Sequence, residues 1–174
     1  MKKVVFAALV VAMGMGIGIG KAFAEGNSLA AGSKSLGITV HDEIMIKYKL
    51  GLDKDLALLL GFGLRNSNEN TPAGSKGTEL QLGAGIRKYL KIADLAPFAE
   101  GGLQIISNNG GTTDRTGFQI FAGAGAEYFF NKQFSIEGSA GVGLSLDSYK
   151  TAGTTTSSTT LSTQRLGMGL NFYF

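Results

Sequence analysis

Ten charged side chains, spaced at alternate positions within apolar stretches, are the residues whose types could support chemistry. They are five basic and five acidic residues: Lys47, Lys49, Arg65, Glu79, Arg87, Glu100, Glu127, Glu137, Asp147 and Arg165. Carboxylates can exchange protons with a substrate, but these would have ammonium and guanidinium neighbours instead of a substrate cleft. Because the two signs balance, the set favours ion pairs that fill an enclosed space. We therefore predict a charge network here and no catalytic carboxylate.

The segments that carry these charges alternate with a period of two, which predicts β-strands. Seven such segments are EIMIKYKLGLD, LALLLGFGLRN, TELQLGAGIRKYL, APFAEGGLQII, GFQIFAGAGAEYFF, FSIEGSAGVGLSL and RLGMGLNFYF. An eighth and earlier strand is KSLGITV, with Leu36, Ile38 and Val40 on one side. No segment after residue 24 has a helical period. The prediction is an all-β, eight-stranded, antiparallel up-and-down barrel.

The predicted connections alternate between short and long. The short ones are residues 53–55, 91–95 and 131–133, and the long polar ones are residues 66–77, 107–116 and 147–162. Only the link at His41 and Asp42 is short where a long one is expected. Short turns at one end and long loops at the other are typical of bacterial outer-membrane barrels, whose turns face the periplasm.

Glycine pairs on the polar face decide which side of the sheet faces out. Five strands carry such a pair, at Gly61/Gly63, Gly83/Gly85, Gly123/Gly125, Gly141/Gly143 and Gly167/Gly169. A soluble barrel of the lipocalin kind, the main competing fold, would expose these glycines and weaken each strand for no gain. Inside a narrow barrel they leave room for long charged side chains. Counted from the short turns, the charges divide into a lower group near the turns, Lys49, Arg87, Glu100, Glu127 and Glu137, and an upper group beyond the glycines, Lys47, Arg65, Glu79, Asp147 and Arg165. We therefore expect apolar side chains outside, in lipid, with the last strand sealing the barrel against the first.

The first 24 residues are predicted to be a signal peptide, and residues 25–174 the barrel domain. A basic start, an apolar run and the Ala22-Phe23-Ala24 ending support this interpretation over an uncleaved membrane helix. Loss of Lys2, Lys3 and Lys21 lowers Lys+Arg from 16 to 13, which equals the 13 Asp+Glu. The remaining chain is neutral and has no basic patch, so we expect no nucleic-acid partner.

Catalytic and metal chemistry have little support in the sequence. The chain has no cysteine and a single histidine, His41. A lipid-cutting triad at the barrel rim would need His41 near a serine such as Ser148 or Ser107, and nothing in the sequence fixes that geometry. We therefore predict no catalytic, metal-binding or cofactor-binding residues. The Thr- and Ser-rich stretch YKTAGTTTSSTTLS is a solvated loop or a contact surface, and its ligand stays open.

The strand cores GAGIRKYL, APFAEGGLQI and GAGAEYFF and the ending LNFYF resemble the outer membrane protein β-barrel domain family, the small barrels akin to OmpX, OmpW, opacity proteins and the OmpA membrane domain. The resemblance implies outer-membrane lipid around the barrel, periplasmic termini and extracellular loops. It also implies that Leu170, Phe172 and Phe174 are an assembly signal read by the barrel-assembly machinery, with periplasmic chaperones as further partners.

Two functions remain open at this stage. The first is a non-enzymatic barrel with a charge-plugged lumen and a structural or surface-contact role. The second is a porin-like narrow channel for ions or small solutes, including hydrophobic ones as in OmpW-like barrels. The predicted lumen has only Leu59, Phe98 and Phe121 as apolar members, which speaks against a hydrophobic path.

Overall fold

A computed structural model describes residues 29–40, 44–68, 76–109, 113–151, 153–162 and 166–174. The predicted signal peptide and His41 lie outside these residues. The described chain forms nine strands: β1 (Lys34–Val40), β2 (Ile44–Gly51), β3 (Leu56–Asn68), β4 (Lys76–Tyr89), β5 (Leu95–Asn109), β6 (Thr113–Phe129), β7 (Phe134–Thr151), β8 (Thr154–Ser162) and β9 (Gly167–Tyr173). No helix suited to crossing a membrane occurs among these residues.

The strands close into a barrel with eight positions around its circumference. Each of β1 to β7 pairs antiparallel with the next, β7 pairs with β9, and β9 pairs with β1. The eighth position is shared, because β9 pairs with Phe134–Ser139 of β7 whereas β8 pairs with Gly143–Thr151 of the same strand. The predicted eight-stranded up-and-down barrel is therefore confirmed, with its last strand in two segments.

The pairing register changes between these two segments. Ser139 lies opposite Gly167, whereas Gly143 lies opposite Ser162, so the pairing register differs by one residue between the two segments. A shift of one residue reverses which side chains share a face. The residues that pair with the inward-facing residues of β7 therefore have odd numbers in β9 and even numbers in β8.

The long loops predicted from the sequence are shorter in the structure, and the stretch from Asp147 to Ser162 is not a loop at all. It forms the C-terminal part of β7 and all of β8. Gly153, in the turn between these two strands, has a φ of 85°. Threonine is favoured in strands because its branched side chain suits the pleated surface, and Thr151 pairs directly with Thr154. The prediction was wrong because this hairpin has no apolar face to mark it.

The barrel is strongly sheared, and the shear decides which side chains meet inside. We followed directly paired residues around the barrel from Thr39 of β1. In one direction, through β2 to β6, the pairs end at Asp147 of β7. In the other direction, through β9, they end at Glu137 of the same strand. One circuit therefore shifts the register by ten residues, the difference between positions 147 and 137. Such a shift corresponds to a strand tilt of roughly 40° for eight strands.

The apolar face points outward, as predicted. Leu170 and Phe174 are 55% and 67% exposed, whereas Arg87 and Glu127 on the opposite face are 0% exposed. A lipocalin-like barrel would reverse this arrangement, because its apolar side chains fill the interior. Large apolar side chains exposed around the whole circumference suit a hydrocarbon environment instead of water.

Candidate functional site

Arg87 of β4 is the centre of the charged lumen. Its Nε and Nη2 donate to Glu100 Oε2 at 3.0 and 2.7 Å. Its Nη1 donates to Glu137 Oε2 at 2.6 Å and to Glu127 Oε2 at 3.2 Å. Because β4 to β7 alternate in and out, these four side chains point to the same part of the lumen. A single guanidinium thus binds three carboxylates.

Two lysines of β2 supply the remaining positive charge. Lys49 Nζ donates to Glu127 Oε2 at 2.7 Å and lies 3.6 Å from Glu137 Oε2. Lys47 Nζ donates to Glu137 Oε1 at 2.6 Å. Three cations therefore neutralise three carboxylates. We refer to this group as the turn-end plug, consisting of Lys47, Lys49, Arg87, Glu100, Glu127 and Glu137.

Glu127 has the most hydrogen bonds of the three carboxylates. Tyr89 and Tyr173 donate their phenol hydroxyls to it at 2.6 and 2.7 Å, and Asn171 Nδ2 donates at 3.1 Å. The Ser135 hydroxyl is a further donor. Buried carboxylates are costly unless their lone pairs are satisfied, and here both oxygens have several partners.

Aromatic side chains close the barrel below the turn-end plug. The Arg87 guanidinium carbon lies 3.6 Å from the centroid of the Phe98 ring, which places the cation on the π face. Tyr89 packs edge-to-face against Phe98, and Phe129 packs against Tyr173, with centroids 6.1 and 5.5 Å apart. All four aromatic side chains are buried. The turn end of the lumen is therefore filled by both charge and packing.

A second polar group lies toward the long hairpins. Arg115 Nη2 is 3.0 Å from Asp147 Oδ1, and its Nη1 is 3.8 Å from Glu79 Oε2. Amides and a hydroxyl continue this layer through the bonds of Gln81 to Glu79, Gln104 to Gln81 and Gln119 to Ser145. We call it the hairpin-end layer, consisting of Glu79, Gln81, Gln104, Arg115, Gln119, Ser145 and Asp147.

A cavity of about 60 Å³ separates the two groups at the level of the glycine pairs. We call it the glycine chamber; its lining includes Gly61, Gly83, Gly85, Gly123 and Gly141 together with Thr39, Lys47, Glu100 and Ser139. A Cβ at Gly85 would come within 2.8 Å of the Gly101 carbonyl oxygen, so side chains are excluded there by the neighbouring backbone. The paired glycines keep this part of the lumen open.

The structure gathers most of the predicted lumen residues but places one differently. Lys47 was expected with the upper group, yet its ammonium binds Glu137 of the turn-end plug. The shear explains the difference. The residues that pair in turn with Lys47 across the neighbouring strands are Gly37, Asn171 and Ser135, which places Lys47 level with the turn end of β7. The Arg65 side chain and Arg165 lie outside the described part of the chain.

Several lumen residues were missing from the predicted network. Tyr89, Tyr173 and Asn171 are the main additions, and each has the same parity along its strand as a predicted lumen residue. Arg115 was missed because it lay in a predicted loop. Among the described residues, no group of three histidine, cysteine, aspartate or glutamate side chains is arranged to hold a metal ion. The hypothetical rim triad depends on His41 and falls outside the described residues.

The start of β1 and the last residue of the chain meet at the turn end of the barrel wall. The Phe174 amide donates to the Lys34 carbonyl at 3.0 Å, which extends the seam between β9 and β1. On the outer face, the Phe172 ring lies 5.1 Å from the Phe134 ring and 6.3 Å from the Phe174 ring, between centroids. The apolar ending predicted to seal the barrel is therefore part of the wall.

Comparison with known proteins gives a match in fold. The chain is similar to the N-terminal β-barrel domain of Pseudomonas aeruginosa OprF, with a TM-score of 0.53, 14% identity, and coverage of 83% of this chain and 98% of that one. A major outer membrane protein from Thermus thermophilus matches with a TM-score of 0.42 and 15% identity over 82% of this chain and 98% of that one. No protein-family model and no curated protein matches the sequence. The likeness to the OprF domain shows that the chain has the fold of an outer-membrane β-barrel.

Proposed function

From the fold shared with the OprF barrel domain, we propose that this chain is an integral protein of the bacterial outer membrane, with a closed lumen and a structural or surface-contact role. The observation that carries the proposal is the turn-end plug, where Arg87 and Glu127 are completely buried. In this proposal the termini and short turns face the periplasm and the long hairpins face the exterior. Ligands of the hairpins stay unassigned.

The plug closes the lumen because an ion would have to replace several strong contacts at once. Arg87 alone binds three carboxylates, and Glu127 accepts from two tyrosines as well. Charge-assisted hydrogen bonds are roughly twice as strong as neutral ones. Since the cations and carboxylates balance, the plug also lacks a net charge that would attract a counterion.

Planar-bilayer recording tests the closed lumen. We expect purified wild-type protein to show no discrete conductance, and the double variant Arg87→Ala/Glu137→Ala to conduct, because it removes one charge of each sign from the plug. The matched control is Arg115→Ala/Asp147→Ala, which removes an equivalent pair from the hairpin-end layer and should stay silent. Each variant is first checked for the heat-dependent gel shift of a folded barrel. Discrete conductance from the wild type would contradict the proposal.

A narrow channel is the second candidate, and the glycine chamber is the observation that favours it. Open space next to Lys47 and Glu100 would give ions a polar resting place. For small hydrophobic solutes, Leu59 and Phe121 also line this chamber, but beyond it Phe98 packs against the buried Arg87 guanidinium, so a solute would meet the charged plug. Wild-type conductance in the bilayer experiment would select this candidate.

The absence of enzymatic activity is tested separately. The wild type is incubated with phospholipid in detergent micelles, and release of fatty acid is measured. We expect no release above that of a heat-denatured sample. Hydrolysis that His41→Ala abolishes would establish the rim hydrolase instead.

We also propose that the C-terminal residues Leu170, Phe172 and Phe174 are read by the barrel-assembly machinery after delivery by periplasmic chaperones. Outward exposure of Leu170 and Phe174 supports this role, because a partner can reach them before lipid covers them. Phe174→Ala should lower the folded fraction in cells while leaving folding into lipid vesicles unchanged. Leu166→Ala, at another exposed apolar position before β9, is the control. An equal loss in both settings would indicate a purely structural role.

A further inference from the structure

The chain before β1 folds across the turn-end mouth of the barrel. The Gly51 amide donates to the Ser33 carbonyl and the Gly32 amide donates to the Gly51 carbonyl, both at 2.8 Å, so the β1–β2 pairing continues beyond Lys34. We call residues 29–33 the mouth segment. Its first residue, Leu29, packs against a buried cluster formed by Ala57, Tyr89, Ala96, Phe98, Phe129 and Tyr173. The proposed closure of the lumen by the turn-end plug does not involve this segment.

Two glycines specify the path of the mouth segment. Gly32 has a φ of 81°, in the left-handed region that glycine enters without the steric cost of a side chain. A Cβ at Gly51 would overlap the Ala30 carbonyl oxygen. The Ser33 hydroxyl donates to that same carbonyl at 2.7 Å and so fixes its position. The folded-back path is therefore encoded by residue types in the segment and in the strand beside it.

The mouth segment fits closely over the turn side of the plug. Together with Lys49 and Tyr89 it borders a space of only about 10 Å³, which is at the lower limit for a single water molecule. Lys49 and Tyr89 are both buried. Each donates a hydrogen bond to Glu127, and water that reached them would compete for these bonds. The segment therefore covers polar groups whose contacts depend on the exclusion of solvent.

We propose that the mouth segment is a lid that seals the turn end of the lumen and keeps solvent away from the turn-end plug. This inference rests on the proposed closed lumen and adds a second barrier to it. The contacts of the lid with the barrel include two backbone hydrogen bonds and the packing of Leu29. The plug is held by charge-assisted hydrogen bonds, which are roughly twice as strong as neutral ones. The lid therefore opens more readily than the plug and without breaking it.

Single-cysteine labelling tests the lid in a chain that has no cysteine of its own. Ala57→Cys places a thiol in the buried cluster, beside the space under the lid. The folded protein, in vesicles of known orientation, is treated with 2-aminoethyl methanethiosulfonate from the turn side. Adding Gly32→Ala strains the left-handed bend and should raise the labelling rate about tenfold. The matched control is Gly153→Ala, since Gly153 has a φ of 85° and, like Gly32, open space around its Cβ position. It should leave the rate unchanged.

The outcomes separate the lid from the closed lumen. Labelling of Ala57→Cys alone as fast as in denatured protein, or equal rates with Gly32→Ala and Gly153→Ala, would overturn the lid even if the bilayers stay silent. Conductance of the wild type would overturn the closed lumen even if labelling follows the expected pattern. If Ala57→Cys fails to fold, Ala96→Cys replaces it, since Ala96 is buried in the same cluster. A gel shift on heating confirms that each labelled protein is folded.

Discussion

The two ends of the lumen are polar in different ways. At the turn end, six charged side chains form a neutral group with Arg87 and Glu127 fully buried. At the hairpin end, amides and a hydroxyl share the space with the buried carboxylates of Glu79 and Asp147 and with the partly exposed Arg115. Buried charges are expensive to separate, whereas neutral hydrogen bonds exchange readily with water. Among the described residues, the turn end therefore has twice as many charged side chains as the hairpin end, and only the turn-end charges balance in sign.

The glycine chamber lies between these ends and separates most of their side chains. Gly83, Gly123 and Gly141 leave open space at this level, with Lys47 and Glu100 of the plug and Gln104 of the hairpin-end layer lining it. Changes at one end should therefore leave the other nearly unaffected, since distant sites without shared partners contribute additively. The following variants test this contrast.

Replacement of Arg87 should have the largest effect. Arg87→Met leaves three carboxylates with only two ammonium groups, and breaking a buried ion pair costs about 3–5 kcal/mol. The control is Arg115→Met, whose side chain is 29% exposed but binds the buried carboxylate of Asp147, and it should cost less, about 1–3 kcal/mol. The free energy of unfolding is measured by urea titration in lipid vesicles. If Arg87→Met does not fold, Arg87→Lys keeps the charge and should still lose more than Arg115→Met.

Similar losses at the two arginines would remove the contrast between the ends. So would a larger loss at Arg115, because its side chain is partly exposed whereas that of Arg87 is fully buried.

The next largest effect is expected inside the glycine pairs. Gly85→Ala would press its Cβ against the Gly101 carbonyl oxygen, and overpacking of this kind costs about 1–3 kcal/mol. Gly83→Ala on the same strand meets only the Leu103 carbonyl oxygen at 3.6 Å, an ordinary contact, and should change stability by about 0.5 kcal/mol or less. Urea titration compares the two. Equal tolerance would mean that the glycines are not needed for close approach of the strands.

Two unpartnered hydroxyls of β1 give a smaller and more selective test. Both Ser35 and Thr39 are buried without a hydrogen-bond partner among the described residues, but only Thr39 lines the chamber. Ser35→Ala removes an unsatisfied group and should stabilise the barrel by about 1 kcal/mol. Thr39→Val removes an unsatisfied hydroxyl in the same way and should also stabilise the barrel by about 1 kcal/mol. Destabilisation by Thr39→Val alone would show that its hydroxyl has a partner that Ser35 lacks.

The sequence predicted the faces of the strands but not the partners of their side chains. Alternation alone assigns Arg87, Glu127 and Glu137 to the lumen, since successive side chains point to opposite faces. Which charges meet depends on the shear, which is a property of the closed barrel. The sequence therefore assigned Lys47 to the upper group, although its ammonium binds Glu137 of the turn-end plug. The β7–β8 hairpin was missed for another reason. Beyond the lipid, a strand needs no apolar face, so period-two hydrophobicity no longer marks it.

The smallest effect is expected at the exposed ion pair between Asp55, in the turn between β2 and β3, and Lys88 of β4. The distance from Lys88 Nζ to Asp55 Oδ2 is 2.6 Å. The hydrogen bond from Lys88 lowers the pKa of the Asp55 carboxyl below its usual value. A carboxyl whose folded pKa is depressed stabilises the fold above its unfolded pKa and loses that contribution as the pH falls through the folded pKa. Asp55→Asn should therefore reduce stability slightly at neutral pH and not at strongly acidic pH.

NMR titration of the Asp55 carboxyl checks the cause, because Lys88→Met should return its pKa toward that of an ordinary aspartate. An unchanged pKa in Lys88→Met would show that this ion pair does not affect the ionisation of Asp55.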